Sequence, residues 1–192
     1  MNINNKKQSD FQKICKTTPF PITIENNTFK IGKTRVSEVL SSNLNLSKGE
    51  NLENDFYDEY IDRNDFKYAY IHRNDEELGS ILFLNNNNSK SSFKDCIICI
   101  YEVNFTNTAD NIKKYNTKDI LIGGINFSGM GINDVKNAMH EKTYIVTERT
   151  DQTGKLVQLV YYINNISIII SFDDYSRIVT NVKVQAFDKY FD

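Results

Sequence analysis

The chain has 192 residues, 40% of them hydrophobic and 25% charged, with a formal net charge of −2 at pH 7. That length and apolar content suit one large domain, or two small halves sharing a core, and exclude a disordered tail. A near-neutral balance supplies no overall drive toward nucleic acid or an anionic surface, and no apolar stretch is long enough to span a membrane, so neither nucleic-acid binding nor membrane insertion is expected.

Residues 1–18 are polar and lysine-bearing and read as a flexible arm, without the apolar core of a secretory signal. The expected location is cytoplasmic, or extracytoplasmic if a signal or anchor has been removed. Pro21-Ile22-Thr23-Ile24 and Thr28-Phe29-Lys30-Ile31 flank a Glu25-Asn26-Asn27 turn and predict a hairpin. Gly32 ends it. Thr34 then suits the N-cap of a short helix carrying Val36, Val39 and Leu40 on one face. Residues 41–49 predict a polar loop.

Residues 50–65 differ from their surroundings. Glu50, Glu53, Asp55, Asp58, Glu59, Asp62 and Asp65 face a single base, Arg63, for a local charge of −6 against +4 for the remainder. The spacing of Phe56, Tyr57, Tyr60 and Ile61 suits an apolar stripe on a short helix. Crowded carboxylates repel one another, a basic partner relieves that repulsion, and interleaved aromatics supply anchors for it. The same residues also suit a solvated acidic loop. The oxygen-ligand spacing of a calcium loop is missing.

Lys67 to His72 alternates, with Tyr68, Tyr70 and His72 on one face and Ala69 and Ile71 on the other. Leu78 to Leu84 and Cys96 to Phe105 are further strands, joined by a flexible low-complexity loop from Asn85 to Ser92. An aromatic sheet face bearing Tyr68, Tyr70 and His72, with Tyr161 added from the second half, is a second candidate contact surface, or else a packing face between halves. The candidate partner-binding residues are therefore Glu53, Asp55, Phe56, Tyr57, Asp58, Glu59, Tyr60, Asp62, Tyr68, Tyr70 and His72.

The second half is clearer. Ile120 to Phe127 is extended, Gly129-Met130-Gly131 turns into a helix from Ile132 to His140, and four strands follow at Thr143–Arg149, Leu156–Ile163, Ile166–Phe172 and Ile178–Phe187. Short turns between them, including Asn164-Asn165, mark antiparallel neighbours. Thr34 to Val39 and Met130 to Val135 echo one another 96 residues apart. The expected fold is α+β and predominantly β. It consists of two tandem helix-plus-antiparallel-sheet halves, residues 19–118 and 119–192, ending in a four-stranded meander.

Three motifs invite chemical readings. Cys96-Ile97-Ile98-Cys99 has redox spacing, but it lies in an apolar strand run where residues three apart face oppositely, so it reads as two core thiols; Cys15 stands apart. Gly32-Lys33-Thr34 matches the end of a phosphate loop without its first glycine. His72 and His140, the only histidines, lack a local nucleophile or triad signature. No catalytic residue, metal or cofactor is expected.

The run Gly129-Met130-Gly131-Ile132-Asn133-Asp134-Val135, followed by Ile168-Ile169-Ile170-Ser171-Phe172-Asp173-Asp174 with Val179, resembles the helix-plus-meander repeat of β-lactamase-inhibitor proteins and small outer-membrane-assembly lipoproteins, over residues 120–187. Phe29-Lys30-Ile31-Gly32-Lys33-Thr34 resembles the start of a group of uncharacterised clostridial-type proteins. The resemblance implies a protein-binding role without catalysis. The chain lacks that family's disulfides and secretion signal. The resulting expectation is a non-enzymatic protein-binding module, an inhibitor or immunity-type protein that blocks a bacterial enzyme or toxin by engaging a basic surface. The alternatives are an envelope-associated structural or ligand-binding domain, and a small-ligand binder or enzyme.

Overall fold

The computed structural model describes residues 20–48, 59–73, 76–105, 117–140, 145–163 and 166–186. The first hairpin forms as its apolar runs predict. Strand β1 (Phe20–Ile24) turns at Glu25, whose φ is 55°, into β2 (Asn27–Ile31). Helix α1 (Val36–Leu40) starts later than expected. Arg35 is its N-cap, with the backbone N–H donating to Glu38 Oε1 at 2.9 Å, while Thr34 Oγ1 instead accepts the Lys30 N–H at 2.8 Å. The polar loop predicted over 41–49 contains a strand, β3 (Asn45–Ser47), because Leu44 and Leu46 are fully buried amid the polar residues.

Next come β4 (Tyr60–Ile61), β5 (Phe66–Arg73), β6 (Glu76–Leu84), β7 (Ser91–Ser92), β8 (Ile97–Asn104) and β9 (Ile120–Ile122). Helix α2 (Ile132–His140) occupies its expected span, burying Val135 and Met139, with the Gly131 N–H closed by Asp134 Oδ2 at 3.0 Å. The predicted meander forms β10 (Ile145–Thr150), β11 (Leu156–Ile163), β12 (Ile166–Phe172) and β13 (Val179–Gln185), all antiparallel neighbours.

Among the described residues the meander is part of a larger sheet. An eight-stranded sheet runs β10-β11-β12-β13-β8-β6-β5-β3, a three-stranded sheet runs β2-β1-β9, and β4 pairs with β7. The boundary expected at residue 118 is therefore crossed twice, by β13 pairing with β8 and by β9 pairing with β1. Side chains from the hairpin, both helices and the meander share one core cluster, including Ile22, Val39, Val135 and Ile168.

Strand β8 joins these parts. One of its edges pairs with β6. Its other edge pairs with β13 through residues 100–104, then passes to the exit of the hairpin. There Gly32 N–H donates to Ile98 O (2.7 Å), Ile98 N–H to Thr34 O (2.8 Å) and Val36 N–H to Cys96 O (3.0 Å). The Gly-Lys-Thr turn is thus a main-chain splice onto β8, which accounts for its glycine at φ 82°.

Two bulges shape the centre of the sheet. Leu78 is the extra residue of β6 opposite β5, and Cys99 the extra residue of β8 opposite β6. Beside the first bulge Gly79 has φ 129°, and a Cβ there would lie 2.5 Å from Glu102 O and 3.0 Å from Tyr101 Cε2. The buried Tyr101 ring fills the space over this glycine, and its hydroxyl donates to Leu78 O at 2.6 Å. A side chain at position 79 must therefore displace the tyrosine and strain the backbone. Gly79→Ala is expected to cost roughly 3 kcal/mol, and Tyr101→Phe about 1–3 kcal/mol from the orphaned buried carbonyl. Both are measurable by urea unfolding, and wild-type stability in Gly79→Ala would show that the bulge relaxes freely.

Candidate functional site

Glu53, Asp55, Phe56, Tyr57 and Asp58 lie outside the described residues. The rest of the acidic lead, Glu59 to Asp65, is described. Tyr60 and Ile61 form an extended pair, not the helical stripe that their spacing suggested. Tyr60 pairs with Ser92 and Ile61 with Ser91, so successive side chains face oppositely: Tyr60 is 66% exposed and Ile61 buried. The strand pairing with β7 outweighs the local helical spacing.

The position of β4 depends on Asn85. This residue opens the asparagine run read as a low-complexity loop, yet it is completely buried. Its Nδ2 donates to Ile61 O (2.8 Å) and Ser89 O (3.0 Å), and its Oδ1 accepts from Asn87 N–H (3.0 Å). Its main chain donates to Asp65 O and accepts from Asn64. Composition conceals this role; the one local signal is that Asn85 directly follows an apolar strand.

Glu59 is the centre of the described charge. Its carboxylate is bound by Lys48, just after β3, and by Lys67 on β5, while its carbonyl accepts the Phe93 N–H at 2.8 Å. Phe93 is buried edge-on against Phe83 (5.3 Å, 90°). The Lys48–Glu59 pair joins the two residues that flank positions 49–58. Asp62 pairs with Lys90 at 3.4 Å, both side chains being largely exposed. Two acids of the candidate set are thus already neutralised within the chain.

The aromatic lead is reduced to two residues. Tyr68 is 46% exposed and Tyr70 half-buried, their rings edge-on at 5.2 Å and 88°. Burial, with the Tyr70 neighbour adding to it, pushes the Tyr68 phenol up to about 12, so it stays a neutral hydrogen-bonding group at neutral pH. His72 shares their strand face but is 4% exposed, and Tyr161 is buried on the opposite face, in the row Ala69-Ile81-Tyr101-Val184-Ile168-Tyr161. Lys67 alternates with Tyr68 along β5, so Glu59 and the tyrosines flank the same strand on opposite faces.

Tyr68 begins a row that continues through Leu82, Ile100, Gln185, Ser167 and Tyr162 to Ile145. Sequence reading could not assemble this row, because six strand pairings set its register.

The remaining motifs settle into structural positions. Cys96 precedes β8 and is buried, and Cys99 occupies the bulge, donating to Leu82 O at 3.0 Å. Burial pushes the Cys96 thiol up to about 12 and raises Cys99 as well, which keeps both protonated at neutral pH. His140 is exposed at the end of α2. Among the described residues no group of three or more His, Cys, Asp or Glu is placed to hold a metal ion, and no helix is long and apolar enough to cross a membrane. Comparison with known protein families, curated proteins and solved structures returned no match.

Hydrogen bonds from Lys48 and then Lys67 hold the Glu59 carboxyl below its ordinary value, against the opposing effect of burial. A depressed folded-state value means that the stabilisation is present at neutral pH and lost as pH falls through the carboxylate range. Glu59→Gln is expected to lower stability at pH 7 by up to about 1 kcal/mol. The gap from wild type should close as the solution is acidified below the ordinary carboxylate range. Urea unfolding across that range is the check; a gap independent of pH would separate the effect from ionisation.

Proposed function

We propose that this protein is a non-enzymatic binding module, an inhibitor or immunity-type protein that blocks a bacterial enzyme or toxin through the acidic aromatic segment. The observation that carries this reading is the closed foot of the segment. The Lys48–Glu59 pair, the β4–β7 pairing and the buried Ile61 fix where the chain leaves and returns, and Tyr60 stands 66% exposed beside them. Residues already held in place, here Lys48, Glu59, Tyr60 and Ile61, lose little further freedom on binding, so more of their interaction with a partner appears as affinity.

The internal pairs also divide the work among the acids. Glu59 and Asp62 serve the foot, leaving Glu53, Asp55 and Asp58, with Phe56 and Tyr57, as the groups for a basic partner surface. Tyr68 and Tyr70, on the other face of β5, are a secondary contact. The sequence resemblance to helix-plus-meander inhibitors supports the same reading.

The informative variant reverses Asp55 and Asp58 to Lys and spares Glu59 and Asp62. Wild-type and reversed chains would be used as baits in lysate of the source cells, with quantitative mass spectrometry and salt elution. The expected result is a basic protein retained by wild type, released by salt, and recovered at least about tenfold less on the variant, equivalent to about 1.4 kcal/mol. The variant should keep wild-type unfolding behaviour. Equal recovery on both baits would remove the segment from the interface.

A further inference from the structure

The two faces of the eight-stranded sheet differ. On the inward face, every member of the row Ala69-Ile81-Tyr101-Val184-Ile168-Tyr161 is at most 5% exposed. Two rows flank it on the outward face. One is the row from Tyr68 to Ile145 described above. The other runs from Ser47 to Thr147 and carries Tyr70, Ser80, Glu102, Lys183 and Ile169. Tyr68 is 46% exposed, and the Lys183 and Glu102 side chains are 34% and 37% exposed. Leu82, Ile169 and Tyr162 are half-buried, while Ser80, Val160 and Ser167 are buried between larger neighbours as low points of the face. A sheet face that keeps aromatic and aliphatic groups accessible is a contact surface.

This face is complementary to itself about one line. The sheet has four strands on each side of the seam between β13 and β8. Turning a second copy by a half-turn about an axis along that seam lays its outward face on the first. Each strand then lies over its counterpart from across the seam. Lys183 meets Glu102 of the second copy, and Glu102 meets Lys183. Ser167 receives Leu82 and Ser80 receives Ile169, so short side chains face long ones. Tyr162 meets Tyr68.

We propose that two copies of the chain meet on this face, sheet on sheet, with a twofold axis along the β13–β8 seam. The contact is isologous, as a closed dimer requires. The twist of each sheet sets facing sheets about 30° apart, so the register is tightest at the axis, where the charges lie. Those charges fix the register more than they add affinity. Two rows across eight strands offer roughly 600 Å² of each copy, against about 800 Å² for a standard interface, so the dimer dissociates on dilution. Tyr68 and Tyr70 are taken up in this contact, whereas the foot at Glu59 lies on the opposite face of β5 and is left uncovered.

The experiment is sedimentation analysis of the full chain from sub-micromolar to near-millimolar concentration. Wild type should pass from monomer to dimer. Lys183→Glu sets glutamate over Glu102 at both contacts beside the axis, and Glu102→Lys sets lysine over Lys183. Each alone should weaken the dimer at least tenfold. An equimolar mixture of the two variants should recover it as a heterodimer, because the facing charges are then opposite at both contacts. Lys183 and Glu102 also lie 3.9 Å apart within one chain. That pair stays broken in both chains of the mixture, so recovery reports the contact between copies. Tyr68→Lys, at an exposed position, should weaken the dimer as well and tests the face if a charge variant fails to fold. A wild-type monomer at every concentration, a dimer indifferent to these changes, or a mixture no more associated than its components overturns the proposal.

Discussion

Strand β8 is the constraint on which the rest of the structure depends, because its main chain is engaged along one edge by β6 and along the other by β13 and the segment that follows the first hairpin. Buried main-chain groups need partners. The strand's apolar run, Ile97 to Val103, cannot be buried unless β6, β13 and the Gly32–Val36 segment are all in place. The two bulges adjust these neighbours to one another. Leu78 and Cys99 each add a residue, and Tyr101 secures the first bulge by bonding its carbonyl across the space that Gly79 leaves open. The segment after the first hairpin and the last strand, β13, are thereby both tied to one central element.

This arrangement sets where function can lie. The hairpin, α1, α2 and the large sheet contribute buried side chains to one cluster. The cysteine pair and the Gly-Lys-Thr turn are absorbed into the sheet as a bulge, a core thiol and a splice. Among the described residues, the exposed periphery includes the foot of the acidic segment at Glu59 and Tyr60, the Tyr68–Tyr70 pair, Tyr175 and the edge strand β10. The acidic segment is less free than its composition implies, since Lys48, Lys67 and Lys90 draw two of its carboxylates into the fold. Half-exposed ion pairs stabilise little, so their larger effect is positional.

Local sequence and tertiary structure disagree where the deciding partner is distant in sequence. Leu44 and Leu46 look like isolated apolar residues in a polar loop until β5 is beside them. Tyr60 and Ile61 have helical spacing until Ser91 and Ser92 pair with them. His72 keeps the alternation of Tyr68 and Tyr70 but is buried, which the pattern within its own strand does not reveal. Asn85 carries no sign of its role in a run of identical residues, because that role consists of bonds to carbonyls at positions 61 and 89.

The sequence alone determined the elements whose signal is local. These are the first hairpin, the nine-residue helix after Gly129, and the four alternating runs of the meander, where period and turn residues act within a few positions of one another. It also marked residues 50–65 as a concentration of charge and aromatics. Only the tertiary structure decided that the meander continues through β8 into the first half, that two of the acids are held by lysines, and that β10 is left as an edge. Each of those outcomes depends on which strands lie side by side, and that has no signature in a strand's own sequence until the register of the sheet brings the partners together.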